Sequence, residues 1–157
     1  MDATELSLYS TQHSPWHAAM YNAATAQTMA VGGFVQATMD TVEFDPSGMV
    51  SGLGGTTAKF TIQQDGLYLI CGAVTMNSVA DGVRFCTAIY RNGAEMARGL
   101  DDTSGGASSI LTSSCWATQY CKAGDTIDIR GQNFTTNEAV HAGASLIYLA
   151  IAYVGAA

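Results

Sequence analysis

The residues able to do chemistry in this 157-residue chain are few and scattered. His13-Ser-Pro-Trp-His17 holds two imidazoles four apart, the spacing at which one helix face chelates a metal. Pro15 lies between them and disfavours such a helix, so no metal site is expected there. The four cysteines, Cys71, Cys86, Cys115 and Cys121, form no CxxC pair, and no histidine stands at finger spacing from them. Cys71 and Cys86 lie in apolar runs, and all four read as reduced, structural thiols. Asp101-Asp102 beside the Gly/Ser-rich stretch 103–109 offers carboxylates to a cation but reads as a solvated loop tip. Gly52-Leu-Gly54-Gly55 precedes a strand-like run, not a helix whose N-terminus would cradle phosphate. His141 and the scattered serines make no nucleophile elbow. No catalytic residue, metal or cofactor is expected, and the chain reads as a non-enzyme.

Composition narrows the partners. Six Lys and Arg against thirteen Asp and Glu give a net charge of −7, so the chain lacks a phosphate-binding footprint and nucleic acid is not expected. Charged residues make up 12 %, about half of the roughly 25 % usual in a soluble domain. With 48 % hydrophobic residues, the chain must hide much of its surface in its own fold or against partners. No run approaches the roughly 20 apolar residues of a membrane helix, and the apolar end from Leu146 to Ala157 is too short. Asp2 and Glu5 stand where a signal peptide carries basic residues, so synthesis and folding in a cytoplasm are expected.

The elements that must position these residues divide the chain once. Residues 1–30 show no alternation and read as an N-terminal arm, with a short Ala-rich helix over 18–30 and aromatic anchors at Trp16 and Tyr21. Residues 31–157 read as a β domain with strands near 34–44, 57–62, 67–76, 83–91, 94–99, 108–120, 125–132 and 144–154. Asn92-Gly93 marks a two-residue hairpin. Asp65-Gly66 and Ala123-Gly124-Asp125 mark further turns. So many short strands predict an all-β, two-sheet antiparallel jelly-roll sandwich.

Strand faces carry more information than strand number. In Asp125-Thr-Ile-Asp-Ile-Arg130, Ile127 and Ile129 point inward and Asp128 and Arg130 are expected in water. Leu67 to Val74 is apolar on both faces. In the last strand Ile147, Leu149, Ile151 and Tyr153 face one way, and Leu146, Tyr148, Ala150, Ala152 and Val154 the other. A two-layer sandwich covers only one face of each sheet, so the second face calls for another subunit.

The order of Phe60-Thr-Ile-Gln-Gln-Asp65-Gly66-Leu67-Tyr68, Ile89-Tyr-Arg-Asn-Gly93, Ala123-Gly-Asp125-Thr-Ile127 and Ala144-Ser-Leu-Ile-Tyr148 resembles the tumour-necrosis-factor-like and complement globular-head jelly rolls. It is most similar to the stand-alone versions in tailed-phage virion proteins, over residues 34–154. The resemblance implies a homotrimer with inner sheets around a threefold axis. Tyr68, Ile70, Leu146, Tyr148 and Tyr153 are the expected trimer-interface residues. Leu149 replaces the small residue usual in the last-strand motif. A capsid decoration (cement) protein on the virion surface is the leading expectation, its partners the major capsid protein and neighbouring decoration subunits. His13, Trp16, His17 and Tyr21 of the arm would contact the capsid. A receptor- or glycan-binding knob, presenting loops 77–82, 101–108 and 133–142, is the alternative. A secreted signalling ligand ranks third, because no export signal is read in the sequence.

Overall fold

Short β-branched and aromatic runs between Gly, Asp and Asn turns leave little besides strands to form. A computed structural model describes residues 16–106 and 109–156, and among them no helix occurs. In chain order the strands are β1 His17–Tyr21, β2 Thr28–Met29, β3 Val35–Gln36, β4 Thr41–Phe44, β5 Val50–Ser51, β6 Lys59–Thr61 and β7 Gly66–Val79. There follow β8 Arg84–Arg91, β9 Ala94–Arg98, β10 Asp102–Thr103, β11 Ser109–Cys121, β12 Thr126–Asn133, β13 Glu138–Ala139 and β14 Tyr148–Gly155.

Two antiparallel sheets face each other. The inner sheet runs β11-β7-β14-β1-β4; the outer runs β10-β8-β12-β6-β5, with β9 on β8 and β3 on β12. Between them Met20, Tyr68, Ile70, Val74, Leu149 and Ile151 meet Phe60, Phe85, Ile89, Ile127 and Ile129 in one core. Fully burying each such side chain contributes roughly 1.5–3 kcal/mol, which sets the register of both sheets. Gly72 lets the sheets close up: a Cβ there would stand 2.5 Å from Ile129 Cδ1 and 2.6 Å from the Tyr148 carbonyl oxygen. Asn92 and Gly93 have φ of 52° and 78°, the two positive values of a type I′ turn between β8 and β9.

Three expectations need correcting. The sandwich begins before residue 31, because His17–Tyr21 is a strand rather than part of an arm or of a helix over 18–30. Ala18 and Met20 point into the core, while His17, Ala19 and Tyr21 face out, a period of two that small residues disguise. The expected strand at 34–44 is two strands in different sheets: β3 pairs with β12, and β4 pairs with β1. The outer face of β12 is not wet at Asp128, which is 6 % exposed. Its carboxylate accepts from Arg130 Nε at 2.6 Å. The Arg130 guanidinium lies 4.0 Å over the Tyr90 ring, and Tyr90 meets Phe34 edge-on at 5.6 Å. Arg98, 4.8 Å over Phe34 and paired with Glu95, completes the cover. Aromatic faces attract guanidinium by about 0.5–1 kcal/mol at exposed sites, enough to lay these long side chains over the sheet.

Candidate assembly face

The side of the inner sheet turned away from the core lacks any layer of this chain above it among the described residues. Directly opposite residues of antiparallel strands share a face, so the register builds it row by row. One row crosses all five strands: Trp116 opposite Cys71, Cys71 opposite Ala150, Ala150 opposite Ala19, and Ala19 opposite Phe44. Beside it run Thr118, Leu69, Ala152 and His17. On the other flank lie Ser114, Ala73, Tyr148, Tyr21 and Thr41. Trp116 is 73 % exposed, Val154 59 %, and Leu69 and Phe44 43 % each. Along the central row small side chains, Cys71, Ala150 and Ala19, lie between Trp116 at one edge and Phe44 at the other.

Only some expected interface residues lie on it. Tyr148 does, half-buried on β14. Tyr68 and Ile70 do not: both are fully buried, on the core side of β7. Because both faces of 67–76 are apolar, periodicity alone cannot say which turns inward. Tyr153 is half-buried on the core side, edge-on to Tyr68 at 5.3 Å, and its hydroxyl is 3.4 Å from Gln64 Nε2. Leu146 is half-buried in the turn before β14, with Cδ1 3.0 Å from where a Cβ on Gly143 would stand.

The residues assigned to a capsid-contacting arm fare differently. His13 lies outside the described residues. Trp16 packs against the core, its indole N–H donates to Gln64 Oε1, and its carbonyl accepts from the Tyr153 amide at 2.8 Å. The His17 ring lies 5.4 Å from Phe44, and Tyr21 stands between Tyr148 and Thr41. Trp16, His17 and Tyr21 are thus held by their own sandwich. Sequence reasoning missed Trp116, Leu69, Cys71 and Phe44. The signal for Trp116 was present: from Cys115 to Thr118 small Cys115 and Ala117 alternate with the larger, exposed Trp116 and Thr118, and the small face is the buried one.

Electrostatics around the face are quiet. Burial raises the Cys71, Cys115 and Cys121 thiols. Burial, reinforced by the Asp101 carboxylate, pushes Cys86 up to about 12. Burial likewise pushes Tyr68 up to about 12. All four cysteines are free thiols. Such groups are protonated and inert near neutrality. Asp101, expected at a solvated loop tip, forms an ion pair with Arg84, and Arg84 lies 4.3 Å over Phe134.

The connectivity, with first and last strands side by side in the inner sheet, can be set against known folds. No protein-family model matches the chain, and no curated protein does. Solved structures do. A tumour necrosis factor, Eiger, from S. frugiperda superposes with a TM-score of 0.67 at 9 % identity, over 90 % of this chain and 93 % of that one. The globular domain of zebrafish complement 1qA gives 0.61 at 14 % identity, over 90 % and 98 %. Murine APRIL gives 0.59 at 12 %, over 88 % and 99 %. The fold is the tumour-necrosis-factor-like jelly roll. The TNF-like jelly roll confirms the architecture expected from the turn motifs, and at these identities the likeness speaks for fold alone.

Proposed function

We propose that this protein is a non-enzymatic, homotrimeric virion protein, the decoration (cement) protein of a tailed-phage capsid. The trimer rests on one observation above all: the five-strand row from Trp116 to Phe44, apolar along its length, with no strand or helix of the described residues laid over it. Domains of this fold are typically homotrimeric, and a face this apolar on a chain this poor in charge is a subunit contact by its chemistry. Leu69, Trp116 and Val154 replace Tyr68 and Ile70, beside Tyr148, as the residues expected at the trimer interface.

The decoration role is supported by the resemblance to stand-alone phage jelly rolls and by the low charge, which suits a broad protein footing. The described histidines serve the fold: His17 lies in β1, and the His141 amide donates to the Thr75 carbonyl at 2.8 Å. With Trp16 to Tyr21 built into the sandwich, attachment by the described part of the chain falls to the jelly-roll surface outside the trimer face. The test is to add purified protein to heads of the parent phage that lack it and to host cells in parallel. Saturable binding to heads in multiples of three is expected. Binding to cells and not to heads would replace decoration with the receptor-knob reading.

A further inference from the structure

The inner-sheet face is not symmetric from edge to edge. At its β11 edge Trp116 stands out, 73 % exposed, next to Leu100, which is 84 % exposed. The two side chains line one cavity of about 400 Å³ with Arg98 and Asp102. At the other edge, over β14, β1 and β4, the same face is hollow, with a volume of about 450 Å³. Ala19, Ala144, Ser145 and Ala150 line this hollow with Phe44 and Tyr148, and Met20 and Glu43 complete the lining. Strands lie about 4.8 Å apart, so three strand spacings put Trp116 roughly 14 Å from Ala19 of its own chain. Its own indole does not fill the hollow.

Resting on the trimeric reading above, we propose that Trp116 of each copy inserts into the Ala19/Ala150 hollow of the next. A protrusion and a hollow at opposite edges of one face are complementary between copies, across a twofold axis or head to tail. On the trimeric reading they meet head to tail, and such contacts close into a ring when repeated by rotation. The hollow falls within the roughly 300–1,000 Å³ range of sites that enclose small ligands, which an indole fits. Alanines let the ring sink in, while Phe44 and Tyr148 offer it edges and faces. Tryptophan in a pocket of another subunit is the typical anchor of an interface.

Trp116→Ala removes the projection, Ala150→Trp fills the hollow, and the double variant W116A/A150W moves the large side chain from one to the other. Neither position is in the core, and far-UV circular dichroism checks that each variant keeps its strands. Sedimentation equilibrium then reads subunit dissociation. Each single change is expected to weaken association at least thirtyfold per contact, the range of an interface anchor at about 2 kcal/mol. The double variant should recover at least tenfold over Ala150→Trp, because the added ring meets the space the missing one leaves. A trimeric W116A that dissociates like the unaltered protein overturns this contact and leaves the trimer standing. So does a double variant that shows only the sum of the single effects, since these positions would then lie in separate contacts. An unaltered protein that is monomeric at every concentration overturns both readings together.

Discussion

Asp40 and Thr25 are joined twice: the Asp40 carboxylate accepts from the Thr25 amide at 3.0 Å and from its hydroxyl at 2.7 Å. The same carboxylate accepts from the Ala23 and Ala24 amides at 2.7 and 3.1 Å and from the Thr41 hydroxyl at 2.8 Å. One side chain immediately before β4 therefore gathers the loop that leaves β1. Burial alone would raise this carboxyl; the hydrogen bonds from Ala23, Thr25, Thr41 and Ala24 outweigh it and hold it well below the usual carboxylate range.

Asp40→Asn is expected to lose about 1–2 kcal/mol, because the amide keeps one acceptor and turns a donor toward backbone N–H groups. The figure is kept low because the site touches solvent. The pH dependence has a definite sign. A carboxyl lowered in the fold contributes stability above its ordinary value of 3.8, and that stability drains away as pH falls below it. Melting curves from pH 7 to pH 2 should show the unaltered protein losing stability below about pH 4 and converging on the variant. Parallel curves would mean that Asp40 does not carry the acid sensitivity.

Gly93→Val should cost about 1–3 kcal/mol through the turn alone. A Cβ at Gly93 meets nothing within 4 Å, so the penalty is purely that of a β-branched residue at φ 78°. Gly93→Asn, which tolerates that region, should recover most of the loss. An unchanged melting temperature for the valine variant would show that the turn relaxes to another type at no cost.

Thiol chemistry should sort the cysteines by depth. Cys71 is half-buried on the inner-sheet face, whereas Cys86, Cys115 and Cys121 are buried. An alkylating reagent is expected to reach Cys71 first, and only under conditions that separate subunits. Four thiols should react after unfolding without reductant. Two or none would mean disulfides that the fold does not contain.

Much of this architecture was legible because turn chemistry is local. Asp65-Gly66, Asn92-Gly93 and Gly124-Asp125 stop and start strands whatever surrounds them, and β7, β8, β9 and β12 lie close to where those signals put them. What stayed hidden is set by tertiary choice. Tyr68 and Leu69 are both apolar neighbours in one strand, and which of them turns to the core depends on Phe60 and Ile129 in the other sheet. β1 was unreadable because its inward residues are Ala18 and Met20, preceded by Pro15, with no β-branched residue among them. Asp128 read as wet because the Arg130, Tyr90 and Phe34 that cover its surroundings come from three separate segments.

The central claim is that the inner-sheet face joins three copies of this chain, and analytical ultracentrifugation of the full-length protein with its Leu69→Asp variant tests it most directly. Leu69 sits near the middle of the face, 43 % exposed, with no role in the core, so an aspartate there leaves a monomer's fold intact. Buried between subunits, the same carboxylate would be an unpaired charge, strongly destabilising at each contact. The expected result at micromolar concentration is a species of three times the 16.4 kDa chain mass for the unaltered protein, and a folded species of one chain mass for the variant. A well-folded, monodisperse unaltered protein at one chain mass, or a variant that remains trimeric, would contradict the account.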